Sequence, residues 1–394
     1  LVMPWEAAHA SGAWPCARWG AAHCPDGKGG AFQFGGAGEL GRLRDLWRLM
    51  VTSDGQGWIE RRPVTECASW PRARECASMA LSTRREGAQL WLYGGGAGDD
   101  SKETGLVPDL WMYNVSSKAW TKIAQKGSCP GARLGHCAVA SSKVMLLFGG
   151  VAAREGRPVV SNDIFSFTFT TQNWRRRTAQ GAAPSPRAFA ACAALDSKCR
   201  AVALYGGEGT GGQVLGDLHL LHADSMIWRR VELPGDSPPP PPRSLASLAV
   251  ADRRGALLMC GGAASGDEGV MADGSGSEGA GSGGGLLQMW RCELQGDIDG
   301  RETDNGRRKR GQTAPAPKGP VFGRWQCLDG GSAMPAARYG ALLAPADPTG
   351  GDYAPNGSAL LFGGSCLPSL LPVGGLYKWR VGAGGGGADG GQQV

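Results

Sequence analysis

Apolar residues in this chain come in short runs rather than at the three-to-four spacing of amphipathic helices, and long helical periodicity is missing. The runs recur with fixed companions: Pro-x-x-Arg, then an apolar stretch ending in Gly-Gly, then Asp-hydrophobic-aromatic, then a lone Trp. Pro-x-x-Arg occurs six times, as Pro15/Arg18, Pro71/Arg74, Pro130/Arg133, Pro184/Arg187, Pro240/Arg243 and Pro335/Arg338. The glycine pairs are Gly35-Gly36, Gly94-Gly95, Gly149-Gly150, Gly206-Gly207, Gly261-Gly262 and Gly363-Gly364, each after an aromatic except the fifth, which follows Cys260. Asp45-Leu46-Trp47, Asp109-Leu110-Trp111, Asp163-Ile164-Phe165 and Asp217-Leu218-His219 form the third mark, which decays to Gln288-Met289-Trp290 and Gly375-Leu376-Tyr377. Each cycle holds four strand-like stretches, and cycles lie about fifty residues apart, a period typical of radial β-repeats.

The marks make mechanical sense. Paired glycines permit positive φ and close backbone approach at the end of a crowded inner strand. Asp is expected to supply local turn hydrogen bonds, and the Trp to fill the wedge between neighbouring sheets. Trp58, Trp120, Trp174, Trp228 and Trp325 follow the first five glycine pairs, and nothing equivalent follows the sixth. Trp5, however, precedes Pro15 by the same interval that separates Trp120 from Pro130. The missing outer strand is therefore expected at the N-terminus, where it would close the ring by ordinary strand pairing and leave only short edges.

From Trp5 to about Arg380 the chain resembles the kelch repeats, with Gly-Gly after an apolar strand, an aromatic after Asp-Leu (Trp111 here) and the downstream Trp120. The resemblance implies an all-β, six-bladed propeller of four-stranded blades over residues 1–380, with the N-terminal outer strand completing the last blade. It also implies an adaptor or scaffold that binds proteins, a role that in the family includes substrate receptors of ubiquitin ligases; no BTB or F-box-like segment supports that last role in this sequence. Some kelch-like propellers are copper oxidases or iron-dependent lyases, so a metal-dependent enzyme is the alternative reading.

Composition agrees with many short strands: 66 glycines, 25 prolines and 14 tryptophans among 394 residues. No apolar run reaches the ~20 residues of a membrane helix, and a formal charge of +6 is too mild and dispersed for a nucleic-acid surface. The chain is expected to be soluble, with neither nucleic acid nor membrane as partner. It opens on Leu1 without an initiator methionine and reads as a piece of a longer protein. Twelve cysteines lack framework spacing, which favours a reducing, cytoplasmic setting; the sequons at Asn114 and Asn356 point the other way. Two low-complexity insertions, 263–285 and 295–322, swell the fifth cycle, and 381–394 reads as a Gly-rich tail or linker. The second insertion carries Arg307-Arg308-Lys309-Arg310, read as solvated loop charge, with a nuclear import signal, a protease site or an anionic contact as alternatives.

Catalytic chemistry finds little support. His219 and His222 lie three apart, which on a strand sends them to opposite faces, and His9, His23 and His136 form no motif. Tyr93 and Tyr205 occupy the ordinary aromatic position before Gly-Gly. No metal site, cofactor or catalytic residue is assigned, and the chain is read as a binding protein rather than an enzyme. The arginines of Pro-x-x-Arg, each expected to begin an innermost strand, admit two readings. Their guanidinium groups tie down backbone carbonyls of neighbouring loops, or Arg18, Arg74, Arg133, Arg187, Arg243 and Arg338 ring the channel mouth and attract an acidic peptide. Pro238 to Pro242 is read as a stiff interblade loop, with a polyproline ligand for an SH3 or WW partner as the alternative. Second-to-third loops and interblade connections share one face of a propeller, the expected binding surface.

Overall fold

The computed structural model describes residues 6–7, 10–12, 15–51, 57–62, 69–98, 105–252, 255–264, 288–298, 319–328, 338–339, 342–345, 359–362, 365–366 and 376–379. Their regular structure is entirely β, and the long strands sort into six antiparallel sets of four. In the first blade, Ala22–Pro25, Ala31–Phe34, Leu46–Val51 and Gly57–Arg62 run in order from inside to outside. The second blade comprises Ser78–Arg84, Gly87–Tyr93, Leu110–Asn114 and Ala119–Lys122. Cys137–Ala140, Val144–Phe148, Ile164–Thr168 and Asn173–Arg177 build the third. The fourth holds Ala191–Ala194, Ala201–Gly209, Val214–His222 and Ile227–Glu232, and the fifth Ser247–Val250, Leu257–Cys260, Met289–Gln295 and Val321–Leu328.

The sixth set is permuted as the tryptophan spacing implies. Leu342–Pro345, Ala359–Phe362 and Leu376–Trp379 come from the end of the chain, and Glu6–Ala7 pairs antiparallel with Lys378 and Tyr377 as the outer strand. Innermost strands adjoin their neighbours in a circuit, from Ala22–Pro25 through each blade in turn to Leu342–Pro345 and back.

Two backbone devices tie the circuit. Two residues after each of the first five arginines the chain turns left-handed, at Gly20, Cys76, Gly135, Phe189 and Leu245, with φ between 51° and 63°. Such a conformation is uncommon for Cys, Phe or Leu and persists only where surroundings enforce it. Here each such residue donates its amide to the preceding one, Cys76 to Gly20 (2.7 Å), Gly135 to Cys76 (2.8 Å), Phe189 to Gly135 (2.7 Å) and Leu245 to Phe189 (2.9 Å), forming a belt that crosses from blade to blade. The linkers then wrap outward. Ala10–Gly12, Lys126–Gly127 and Gln180–Gly181 pair parallel with the outer strands of the first, third and fourth blades, covering edges that would otherwise invite aggregation. Gly127 and Gly181 are required by this approach, since a Cβ at either would meet a backbone carbonyl at 2.3 Å. Between the fourth and fifth blades the outer strands pair directly, Val231 with Val321 and Glu232 with Phe322. Val321 and Phe322 thus belong to a strand, and the second insertion is shorter than its expected 295–322; most of both insertions, the basic cluster 307–310 and the tail lie outside the described residues.

The core lies in wedges between adjacent sheets. Outer-strand tryptophans reach back to the aromatic that precedes Gly-Gly in the preceding blade: Trp120 to Phe34 (5.3 Å between ring centroids), Trp174 to Tyr93 (5.3 Å), Trp228 to Phe148 (5.3 Å) and Trp325 to Tyr205 (5.5 Å). Their edge-on geometry is the favoured one for aromatic pairs, and leucines, valines and cysteines of the two facing sheets fill the remaining space.

Candidate binding face

On one end of the ring the linkers meet the second-to-third loops. The residue after each arginine bridges the residue that follows the glycine pair: Trp19 to Ala37, Glu75 to Gly96 and Ser244 to Ala263, with short ladders at Arg133–Leu134 and Arg187–Ala188. The arginines therefore sit in the linkers, four residues ahead of the innermost strands they were expected to begin.

Four of the described arginine side chains point inward. Arg18, Arg74, Arg133 and Arg187 are each 1% exposed. Three of them grip a carboxylate with two nitrogens: Arg18 on Asp45 (2.5 and 2.9 Å), Arg74 on Asp109 (2.6 and 3.0 Å) and Arg187 on Asp217 (2.6 and 2.9 Å). The same groups donate to the first glycine carbonyl of their own blade, at Gly35 (2.9 Å), Gly94 (2.8 Å) and Gly206 (3.0 Å). The carbonyls of Arg74, Arg133, Arg187 and Arg243 accept the second glycine amide of the preceding blade, from Gly36, Gly95, Gly150 and Gly207 respectively. Pro-x-x-Arg and Gly-Gly are thus the two halves of an interblade fastener.

The aspartates do more than shape a turn. Asp45 and Asp109 also accept the indole N–H of Trp47 (2.6 Å) and Trp111 (2.7 Å), and Asp217 bonds His219 (2.8 Å). Burial raises the pKa of each carboxyl, but the hydrogen bonds and adjacent arginine charge outweigh it and hold all three below the ordinary 3.8.

Two blades depart from the pattern. In the third, Asp163 is taken by Arg154, Arg176 and Ser161, so Arg133 donates instead to the carbonyls of Gly149 (2.9 Å) and Pro130 and lies over the Phe165 ring. In the fifth, Gln288 replaces the aspartate, and half-buried Arg243 reaches its amide oxygen at 3.2 Å. Arg338 lies in the short ladder with Ser365–Cys366, and its side chain is outside the described residues. The expected cationic ring at the channel mouth is therefore corrected for the four buried arginines, whose guanidinium groups face into the protein and not toward a ligand.

Other singled-out residues are also engaged internally. Tyr93 donates its hydroxyl to the Gly131 carbonyl (2.9 Å), and the Tyr205 hydroxyl lies 3.2 Å from the carbonyls of Pro240 and Pro241. His219 turns to Asp217 and the Ala182 carbonyl, His222 to Ser225. Among the described residues no three His, Cys, Asp or Glu side chains gather as a metal site.

His136 is singular because Ala21, Ala77, Ala190 and Ala246 occupy its position in other blades. It is buried and bonds Ser78 Oγ through Nε2 at 2.6 Å. Burial, and after it the charge of Arg133, pushes its pKa well below 6.5. The unfolded chain binds that proton below about pH 6.5 while the folded chain does not, so stability is complete above this pH and falls beneath it. Denaturant midpoints should decline as pH falls below about 6.5, and H136A, which installs the residue of the other blades, should flatten the slope. An unaltered slope would show that other groups set it.

What remains exposed on this face are the loop tips. The first blade projects a hairpin, Ala37–Gly38 with Gly41–Arg42, tipped by Leu40 at 102% relative exposure. The third projects Val151–Arg154 with Arg157–Val160, displaying Val159 (37% exposed), Arg154 and Arg157.

Residues 62–262 match the model of the KLHDC2/KLHL20/DRC7 Kelch-repeats domain, just over half of the chain. The chain belongs to the kelch-repeat family. Kelch-repeat domains generally mediate protein–protein interaction, and the family is generally non-enzymatic scaffolding. Among curated relatives, Tip elongation aberrant protein 1 of Schizosaccharomyces pombe is 26% identical over 157 residues, 39% of this chain and 13% of that protein. The serine/threonine-protein phosphatase BSL2 of Arabidopsis thaliana is 31% identical over 160 residues, 40% of this chain and 15% of that protein. Acyl-CoA-binding domain-containing protein 5, also of Arabidopsis thaliana, is 28% identical over 241 residues, covering 60% and 35%. The kelch chain thus aligns with between 13% and 35% of these relatives' lengths.

Proposed function

We propose that this kelch chain is a protein-binding scaffold that receives its partner on the loop face and serves as an adaptor. The carrying observation is the contrast between repeated and unrepeated polar groups. Among the described residues the repeated arginines and aspartates are engaged within the fold, whereas the hairpins of the first and third blades, unlike each other in sequence and length, stand exposed on a rigid base. Variable loops on a fixed scaffold are where recognition concentrates. An acidic partner segment suits the third blade, where exposed Arg154, Arg157 and Arg176 outnumber exposed Glu155 and the largely buried Asp163. Such an attraction is screened over ~8 Å at physiological salt.

Photo-crosslinking residues placed at 40 and 159 should capture a partner, and the same probes at Lys118 and Lys143, on loops of the opposite face, should not. Capture from 118 and 143 alone would move the site to the other end of the ring.

A further inference from the structure

The linker from the fourth to the fifth blade carries five consecutive prolines, Pro238–Pro242. Fixed φ and missing amide hydrogens exclude helix and central strand and leave the polyproline II form, with three residues per turn. The segment forms neither strand nor turn in the structure.

It is pinned along its length. At its start, buried Ser237 accepts the Trp325 amide (2.8 Å) and donates to the Trp325 carbonyl (3.0 Å). The Tyr205 hydroxyl reaches the Pro240 and Pro241 carbonyls in the middle, and beyond the end the Arg243 amide donates to the Leu215 carbonyl at 3.0 Å.

A threefold helix sorts these residues into three faces: Pro238 with Pro241, Pro239 with Pro242, and Pro240 with Arg243. Pro240 is buried and Arg243 half-buried, while Pro238, Pro239, Pro241 and Pro242 are all exposed. The propeller covers one face and presents the other two. Domains that read polyproline lay two faces of such a helix into an aromatic-lined groove and leave the third outside; here that third face is the one anchored to the blade.

We propose that Pro238–Pro242 is a docking site for a polyproline-reading domain with an aromatic-lined groove. The segment is already ordered, so binding avoids most of the entropy that a disordered proline-rich tail would lose. Recognition rests on the pyrrolidine rings rather than on a basic anchor, because the Arg243 guanidinium faces Gln288 and the Gly262 carbonyl. The site is independent of the loop tips at Leu40 and Val159, so the two readings fail separately.

Isotope-labelled SH3, WW and EVH1 domains titrated with the folded chain should reveal at least one whose groove aromatics shift saturably. Exposed-face substitutions, P239A with P242A, should weaken that binding about tenfold or more without moving the unfolding midpoint. P238A with P241A tests the other face and serves if the first pair lowers stability. The proposal is overturned if none of the three domains binds the folded chain, if binding survives both double variants, or if it appears only after the chain is unfolded.

Discussion

R187A is expected to lower the free energy of unfolding by about 3–5 kcal/mol, the usual cost of removing one member of a buried ion pair. The substitution leaves Asp217 with His219 alone, orphans the Gly206 carbonyl and empties a fully buried site. R133A empties an equivalent site but strands no carboxylate, since Asp163 already has Arg154 and Arg176. Its cost should be smaller, and the difference in denaturant midpoint between the two variants isolates the ion pair from the packing. Because Asp217 is held below 3.8, its contribution is fully present above about that pH and is lost progressively as pH falls from there through the folded value. Acid titration of the parent should therefore show a first decline from His136 and a second, far lower one from the clamps. A cost for R187A no larger than for R133A would remove the clamp from the account of stability.

Deleting residues 1–9 is expected to do more damage still. It removes Glu6–Ala7 from the edge of Leu376–Trp379 and leaves the Ala10–Gly12 pairing with the first blade in place. The sixth blade then ends on an unpaired strand, a template for association between copies. Aggregation on concentration and a midpoint below that of R187A are the expected results, and a synthetic peptide of residues 1–12 should restore both. Full stability without the peptide would show that the ring closes by other contacts.

The architecture was legible because every blade repeats the same apolar runs and glycine pairs, and the missing Trp after Gly364, matched by Trp5, points to the N-terminus as the source of the closing strand. The face chemistry was less so. That Arg187 would find Asp217, thirty residues on, depends on how two loops fold against each other, and the third blade shows how a nearby Ser161 and two surface arginines divert the same aspartate. The left-handed turns were hidden wherever the residue was not glycine: nothing in Phe189 or Leu245 signals positive φ, which the interblade hydrogen bonds impose. The proline run was readable as a conformer, but not which of its faces would be turned outward.

The belt of amides from Gly20 to Leu245 has an electrostatic consequence. In an α-helix, peptide dipoles align and leave a positive end that binds anions. Here each N–H points to the carbonyl of the blade before it, so the dipoles run tangentially and turn with the circuit. Over the four links from Gly20 to Leu245 such turning vectors partly cancel instead of adding as they do along a helix. The guanidinium groups of Arg18, Arg74 and Arg187 are neutralised by their aspartates, whereas those of Arg133 and Arg243 face neutral oxygens, so the field around the circuit comes from the third and fifth blades and from whatever the loop tips display, rather than from a sixfold cationic ring.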